Sequence, residues 1–280
     1  MRIGIEFLAS LAVLILVQAG TAEAQASDQS GLCSGKTTGA APAVRVAACT
    51  ALINSGKYSG KNMAILYNNR CSWNATVASD PAINDCSQAI RMDPGYARPY
   101  YNRSLAYYNK KDYDRAIQDA SEAIKRDPAY FNAFDTRASA YSDKGDHDHA
   151  ILDYNQSLRL NPKDPISLNN RCDEFALLGQ FVAARLDCDE SLRIRPDHQN
   201  TLRHRGGVLL ALGKFDEALA DYTNLVRQNP KDAGGLYGRG TAKLRKGDVA
   251  GGNDDLSSAR AVNQNIDKEF WRYGKPADKQ

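Results

Sequence analysis

Residues Ala97–Tyr130 read ARPYYNRSLAYYNKKDYDRAIQDASEAIKRDPAY, and the pattern of this stretch recurs along the chain with a period of 34 residues. The proline near its end, Pro128, has counterparts in the neighbouring units at the same step. These prolines are Pro94, Pro128, Pro162, Pro196 and Pro230. A fixed period of this size is typical of a solenoid, in which small helical units stack to bury a shared core.

Other landmarks recur with the same period. An alanine precedes four of the prolines by twelve residues, a glycine marks the middle of four units, and a large apolar residue takes the fourth position of every unit. In order, they are Ala116, Ala150, Ala184 and Ala218; Gly145, Gly179, Gly213 and Gly247; and Tyr67, Tyr100, Phe134, Leu168, Leu202 and Leu236.

Each unit has the pattern of two amphipathic helices. Tyr100 and Tyr107 fall on one face of a first helix, and Ala116 and Ala123 on one face of a second helix, with a turn at Lys110–Asp114 between them. Small residues on the facing sides allow two helices to approach closely. One helix pair cannot bury both of its faces, so the pattern favours stacking.

These repeats resemble the tetratricopeptide repeat family over roughly Met63–Ile266. The resemblance implies an all-α fold, a right-handed superhelical solenoid of helix-turn-helix repeats with a capping helix at each end. The predicted repeats are residues 64–96, 97–130, 131–164, 165–198, 199–232 and 233–266.

The N-terminus has the pattern of an export signal. Arg2 is basic, Phe7–Ala19 is apolar, and Ala22–Ala24 is a small-x-small cleavage site. The sequence therefore predicts a signal peptide at residues 1–24, with the mature protein periplasmic or secreted and not stably inserted in a membrane. The alternative is a retained membrane anchor, but the apolar run is short for a membrane span.

The rest of the chain is predicted to form one elongated domain with terminal additions. Residues 25–42, rich in small and polar types, are expected to be a flexible linker. Residues 43–62 are expected to form an N-terminal capping helix and loop, and residues 63–266 the repeat domain. Residues 266–280 are expected to form a C-terminal capping helix, Ile266–Tyr273, followed by a polar tail.

The charge of the chain argues against a nucleic-acid partner. The full sequence has 36 Lys and Arg and 33 Asp and Glu; without Arg2, Glu6 and Glu23 the mature chain has 35 and 31, a net charge of +4. This balance is not typical of nucleic-acid binding or of attachment to an anionic membrane.

The cysteines fall into three closely spaced pairs. Cys71 and Cys172 share the eighth position of their repeats, and Cys86 and Cys188 share the twenty-fourth. Side chains at these positions lean toward one another across an antiparallel helix pair, and exported proteins retain disulfides. The alternative is that small thiols simply fill tight helix contacts. The predicted disulfides are Cys33–Cys49, Cys71–Cys86 and Cys172–Cys188.

An arginine at the seventh position recurs with an aspartate at the twenty-third. We predict a ladder of partly buried ion pairs, because an arginine at a helix interface without a carboxylate would leave a costly unpaired charge. The alternative is an arginine ladder that binds an anionic ligand. The residues are Arg70 and Asp85, Arg103 and Asp119, Arg137 and Asp153, Arg171 and Asp187, Arg205 and Asp221, and Arg239 and Asp255.

The sequence contains no pattern typical of catalysis, metal binding or cofactor binding. It has no Gly-rich phosphate loop and no His-Glu-x-x-His motif. No cysteine pair has the Cys-x-x-Cys spacing of zinc sites. The histidines, including His147 and His149, are expected on solvated surface. We therefore predict a protein that is not an enzyme, with no cofactor and no metal.

The family resemblance implies a groove lined by the first helix of each repeat. Tyrosines on such a wall suit a protein or peptide partner. We therefore predict a non-enzymatic scaffold for protein–protein interaction in the cell envelope; the alternative is a binding protein for an envelope polymer such as a cell-wall glycan, or a small ligand. The predicted groove residues are Arg98, Tyr101, Leu105, Tyr108, Asp135, Asn169, Asp173, Arg203 and Tyr237.

Overall fold

The computed structural model describes residues 28–75 and 79–270, and every regular element in those ranges is an α-helix. The predicted signal peptide at residues 1–24 lies outside the described residues. The same is true of Trp271 and of the last part of the predicted C-terminal helix. The all-α prediction is confirmed.

The chain divides into two compact units, Met1–Pro128 and Ala129–Gln280. In each unit, consecutive helices pack against one another in pairs. The first unit contains α1 (residues 28–34), α2 (Pro42–Asn54), α3 (Gly60–Ala75), α4 (Ser79–Met92), α5 (Ala97–Asn109) and α6 (Tyr113–Arg126). The second unit contains α7 (Phe131–Asp143), α8 (His147–Leu160), α9 (Pro165–Leu177), α10 (Phe181–Ile194), α11 (Gln199–Ala211), α12 (Phe215–Gln228), α13 (Ala233–Arg245), α14 (Val249–Val262) and α15 (Ile266–Glu269).

Small residues line the contact within each helix pair. Between α5 and α6, Ser104, Ala116 and Ala123 are fully buried, and Ala106 on α5 packs instead against the α3–α4 pair. The ring of Tyr100 covers the edge of this contact and is 7% exposed. Because alanine side chains are short, the two backbones approach closely and most of the core consists of such contacts.

The turns between paired helices require a left-handed residue. Gly145 takes this conformation, with φ of 81°, and the corresponding glycines of the next three repeats do the same. In the first unit, Lys111 occupies the matching position with φ of 60°. A non-glycine residue pays a steric cost in this region, so Lys111 marks a strained turn.

The N-terminal segment differs from its prediction. Residues 28–34 of the predicted linker form the helix α1, and Cys33 within it is 1% exposed. The loop between α1 and α2 is held by Arg45 of α2. Its guanidinium donates to the carbonyl oxygens of Leu32, Thr37 and Ala40. Composition alone indicated a linker, whereas a disulfide and these hydrogen bonds order part of the segment.

The C-terminal end of the described chain covers the last helix pairs. The short helix α15 buries Ile266, and the ring of Phe270 lies 4.7 Å from that of Tyr237 and 6.0 Å from that of Tyr222. These contacts close an apolar cluster in the second unit. None of the helices in residues 28–75 and 79–270 is both long enough and apolar enough to span a membrane.

Candidate functional site

Disulfides hold three helix pairs together. Cys33–Cys49 joins α1 to α2, with Cα atoms 4.8 Å apart. Cys71–Cys86 joins α3 to α4 at 5.4 Å, and Cys172–Cys188 joins α9 to α10 at 5.6 Å. All six cysteines are buried. These are the three pairs that the sequence predicts, two of them from the repeat register and Cys33–Cys49 from its similar spacing, and their burial gives them a structural role.

The repeated arginines and aspartates form bidentate ion pairs. In each pair the arginine Nε and Nη2 atoms donate to the two carboxylate oxygens of the aspartate 16 or 15 residues later, at 2.5–2.8 Å. The arginine side chains are 19–25% exposed and the aspartate side chains 4–10%. The pairs are Arg70–Asp85, Arg103–Asp119, Arg137–Asp153, Arg171–Asp187, Arg205–Asp221 and Arg239–Asp255.

A further contact connects the ladder to the preceding helix pair. The Nη1 atom of Arg103 donates to Ser87 Oγ at 2.9 Å, and that of Arg171 donates to Asn155 Oδ1 at 2.7 Å. The Nη1 atom of Arg205 donates in the same way to Asp189 Oδ1 at 2.8 Å. The hydrogen bond to Asp85 raises the pKa of Arg70 above its ordinary value. These arginines already donate to protein acceptors on both sides, which favours a structural ladder over a ligand site.

In the first unit, the predicted wall lies on one side of α5. Tyr101, Leu105 and Tyr108 are half-buried, and Arg98 at the start of the helix is exposed. The ring of Tyr108 packs against that of Tyr113, with centroids 5.8 Å apart. The three wall residues recur at helical spacing, so aromatic and aliphatic surface lies along a single stripe of the helix.

In the second unit, the residue at the fifth position of each repeat bonds to a residue that follows it in the chain, and at two of these positions the partner belongs to the next repeat. Asp135 accepts a hydrogen bond from Ser167 Oγ at 2.8 Å, and Asn169 accepts one from Thr201 Oγ1 at 2.9 Å. These contacts join the first helices of successive repeats. At the other two fifth positions, Arg203 pairs with Asp232, the N-cap residue of α13, at 2.7 Å, and Tyr237 donates to Asp267 of α15 at 3.0 Å.

This use of the fifth position removes two predicted groove residues from the surface. Asn169 is 4% exposed and Tyr237 is 7% exposed, so neither presents its side chain to a partner. Asp173, at the ninth position, lies 3.9 Å from the His204 Nε2 atom. The polar residues of the predicted wall in this unit therefore contribute to contacts between repeats, and the exposed part of the wall is best developed on α5.

A buried carboxyl group lies at the centre of one of these contacts. Burial raises the pKa of Asp135 to about 6, although hydrogen bonds from Ser157 and Ser167 act to lower it. The nearby carboxylate of Asp164 also raises the pKa. Asp164 itself caps α9 by accepting the Ser167 backbone N–H at 2.8 Å.

A second buried carboxyl group was missed by the sequence analysis. Glu174 is 2% exposed, and it accepts a hydrogen bond from Ser142 Oγ at 2.5 Å and contacts His147 Nδ1 at 2.7 Å. Burial raises the pKa of this glutamate above its ordinary value. His147, expected on solvated surface, is thus half-buried in a polar cluster.

The sequence does contain a signal for this cluster. Glu174 stands at the tenth position of its repeat, where the other repeats have small or apolar residues. A charge at such a core position indicates a buried polar contact. The corresponding residues are Trp73, Ala106, Ala140, Val208 and Ala242. Within residues 28–75 and 79–270, no group of three or more His, Cys, Asp or Glu side chains is arranged to hold a metal ion.

Comparison with known families identifies the repeats. Models of the tetratricopeptide repeat match residues 97–130, 132–164 and 205–262. No curated protein matches the chain.

Comparison with solved structures points to the same fold. YrrB, described as a TPR protein with an unusual peptide-binding site, superposes with a TM-score of 0.58 at 19% identity, over 64% of this chain and 93% of YrrB. The MamA protein gives 0.55 at 17% identity, over 61% of this chain and 94% of MamA. A tetratricopeptide repeat protein from Parabacteroides merdae gives 0.58 at 16% identity, over 83% and 91% of the two chains. At these identities the likeness concerns the fold alone.

Proposed function

Because the chain is a tetratricopeptide repeat protein, we propose that it is an exported, non-enzymatic scaffold that binds a protein or peptide partner along the inner wall of its repeats. Tetratricopeptide repeats generally mediate protein–protein interaction. YrrB, whose fold this chain shares, is described as having a peptide-binding site.

The observation that carries the proposal is the stripe on α5. Tyr101, Leu105 and Tyr108 are half-buried there, with the exposed Arg98 at the start of the helix. Tyrosine supplies a large contact area at low cost in conformational entropy. An aliphatic residue between two tyrosines, next to a cation, suits a peptide that presents apolar side chains and a carboxylate.

Export is proposed on the signal pattern at residues 1–24 and is supported by the three disulfides. Disulfides persist in oxidising compartments and are rare in the cytosol. The proposed location of the mature protein is the periplasm or the outside of the cell, where the partner would be a protein of the envelope.

The proposal is tested by replacing both tyrosines of the stripe. The double variant Tyr101→Ala/Tyr108→Ala should weaken capture of the envelope partner at least tenfold, because interface aromatics often contribute about 2 kcal/mol or more. Partners are captured from envelope extract by cross-linking and identified by mass spectrometry. Circular dichroism and the melting temperature should remain close to those of the parent.

The matched control is Lys125→Ala, an exposed position on α6. It should capture the partner as well as the parent does. If the double tyrosine variant also captures every partner normally, binding does not use this wall and the proposal fails. Sedimentation with purified cell-wall material tests the alternative function. If the chain binds that material and captures no protein, it is a glycan-binding protein instead.

A further inference from the structure

The solvent side of the second helices is polar in most repeats but apolar in two of them. Each second helix from α4 to α14 has two exposed positions four residues apart, which face solvent at the same place in every repeat. In α4, α6, α8 and α12 the first of them is aspartate. The residues are Asp80 and Asn84, Asp114 and Gln118, Asp148 and Leu152, Val182 and Leu186, Asp216 and Ala220, and Ala250 and Asp254.

Three large aliphatic side chains therefore lie in neighbouring repeats of the second unit. Leu152 on α8 is 59% exposed, and Val182 and Leu186 on α10 are 70% and 67% exposed. Leu178, at the turn before α10, is 38% exposed and lies four residues before Val182. We call these four residues the α8–α10 patch. Contiguous exposed apolar surface on a soluble domain marks an interaction site more often than single exposed residues do.

An ion pair that recurs elsewhere is missing at the patch. Lys110 pairs with Asp80 of the preceding repeat, and Lys246 pairs with Asp216 in the same way. At the patch, Leu178 takes the position of the lysine beside Asp148. Among the residues that the structure describes, Asp148 forms no ion pair. The patch thus replaces a salt-bridged surface and leaves one acidic group unpaired at its edge.

A basic group lies at the other end of the same helix face. Arg159 on α8 is exposed, and its guanidinium donates to Gln156 Oε1 at 3.0 Å. Within the described ranges it too forms no ion pair. Asp148 and Arg159 are eleven residues apart, about three helical turns or 16 Å, and Leu152 lies between them on the same face of α8. This face of α8 therefore has an acidic end, an apolar centre and a basic end.

From this arrangement we infer that the α8–α10 patch is a self-association surface, which binds the same patch of a second copy of this chain. A two-fold axis brings identical surfaces together. If α8 of one copy crosses α8 of the other in the antiparallel direction, Asp148 of each copy meets Arg159 of the other and the aliphatic side chains meet at the centre. In this orientation the face of α8 is complementary to itself, which favours a second copy of the chain over an unrelated partner.

The first test removes the apolar surface with residues taken from the other repeats. In the triple variant Leu152→Gln/Val182→Asp/Leu186→Gln, each replacement is the residue that stands at the same position of α6. Sedimentation equilibrium of the purified protein over a range of concentrations should show a dimer for the parent and a dissociation constant at least tenfold higher for the variant. The control Ala220→Gln, at the same exposed position of α12, should dimerise like the parent.

The second test exchanges the charges. Asp148→Arg and Arg159→Asp should each weaken the dimer, because each places like charges opposite one another. The double variant Asp148→Arg/Arg159→Asp should regain the affinity of the parent. Circular dichroism is compared for all variants. A parent that sediments as a monomer at every concentration, or a double variant as weak as the single ones, overturns the inference.

Discussion

The two compact units share one ladder of ion pairs but differ in the polar groups that join successive repeats. In the first unit the contact between first helices is uncharged, with Asn102 Nδ2 donating to Asn68 Oδ1 at 2.9 Å. In the second unit two of the contacts between first helices contain carboxyl groups, those of Asp135 and Glu174, while the contact of Asn169 with Thr201 is uncharged. The first unit contains two of the three disulfides.

This difference shows that the same repeat can be joined to its neighbour in chemically different ways. The ladder is constant because it fills a position where an unpaired charge would be costly. The fifth and tenth positions vary because an amide, a carboxyl group or an apolar side chain can each complete the contact. The second unit is therefore expected to respond to pH where the first does not.

The largest expected effect concerns the feature that the units share. Arg103→Ala in the first unit and Arg171→Ala in the second should each lower the free energy of unfolding by roughly 3–5 kcal/mol, because each leaves a buried aspartate without its counter-charge. Urea unfolding followed by circular dichroism measures both. A clear difference between the two variants would break the claim that the ladder has the same role in both units.

Partner capture separates the structural role from a ligand-binding one. The folded fraction of Arg171→Ala should still capture the partner, and Arg193→Ala, which loses only an exposed pair with Glu190, should change stability little. A variant of Arg171 that unfolds like the parent but loses its partner would assign the arginines to the ligand.

Removal of one disulfide is expected to be next in size. The variant Cys71→Ala/Cys86→Ala should lower the free energy of unfolding by about 3 kcal/mol, since the bridge closes a loop of 15 residues in the unfolded chain. Cys172→Ala/Cys188→Ala in the second unit should cost about the same. Peptide mapping without reductant checks the three links first, and free thiols or crossed pairs would contradict the pairing.

The pH response of Asp135 sharpens the comparison of the units. Its pKa of about 6 in the folded protein exceeds the unfolded value of about 3.9. The folded state therefore binds this proton more tightly, and the stabilisation is present below about pH 4 and is lost as the pH rises through about 6. The full loss should be about 3 kcal/mol, of which about 2 kcal/mol falls between pH 4.5 and pH 7.5. Urea unfolding at pH 4.5 and pH 7.5 should show that Asp135→Asn lacks this part of the pH dependence.

The converse exchange belongs to the first unit. Asn68 is 3% exposed and accepts the hydrogen bond from Asn102 through an oxygen that aspartate would retain. Asn68→Asp should therefore introduce a pH dependence of the same sign as that of Asp135. Equal pH profiles for the parent and both variants would show that carboxyl groups at the fifth position do not distinguish the units.

The smallest expected effect compares the turns within the helix pairs. Lys111→Gly should stabilise the first unit by about 0.5 kcal/mol, because glycine removes the steric cost of the left-handed conformation but adds entropy to the unfolded chain. Gly145→Lys in the second unit should destabilise it by a similar amount. No atom lies within 4 Å of a Cβ built at Gly145, so only the backbone contributes. Thermal unfolding of both variants in parallel provides the measurement.

The sequence by itself determined the repeat architecture. The 34-residue step predicted the helix pairs, and in four units the turn after the first helix followed from its glycine. The same step placed Cys71 opposite Cys86 and Arg171 opposite Asp187, as they lie in the structure. These features are predictable because a repeated residue at a repeated position has the same neighbours each time.

Only the tertiary structure decided which of the varying positions are exposed. Asn169 and Tyr237 carry side chains that suit a binding wall, yet Asn169 is buried against the next repeat and Tyr237 against α15. The half-buried His147 likewise contacts Glu174 of the next repeat. At such positions the neighbouring repeat supplies the partner group, and its identity changes from repeat to repeat. Periodicity identifies the place in the repeat, but the burial of a side chain depends on what the adjacent helix presents to it.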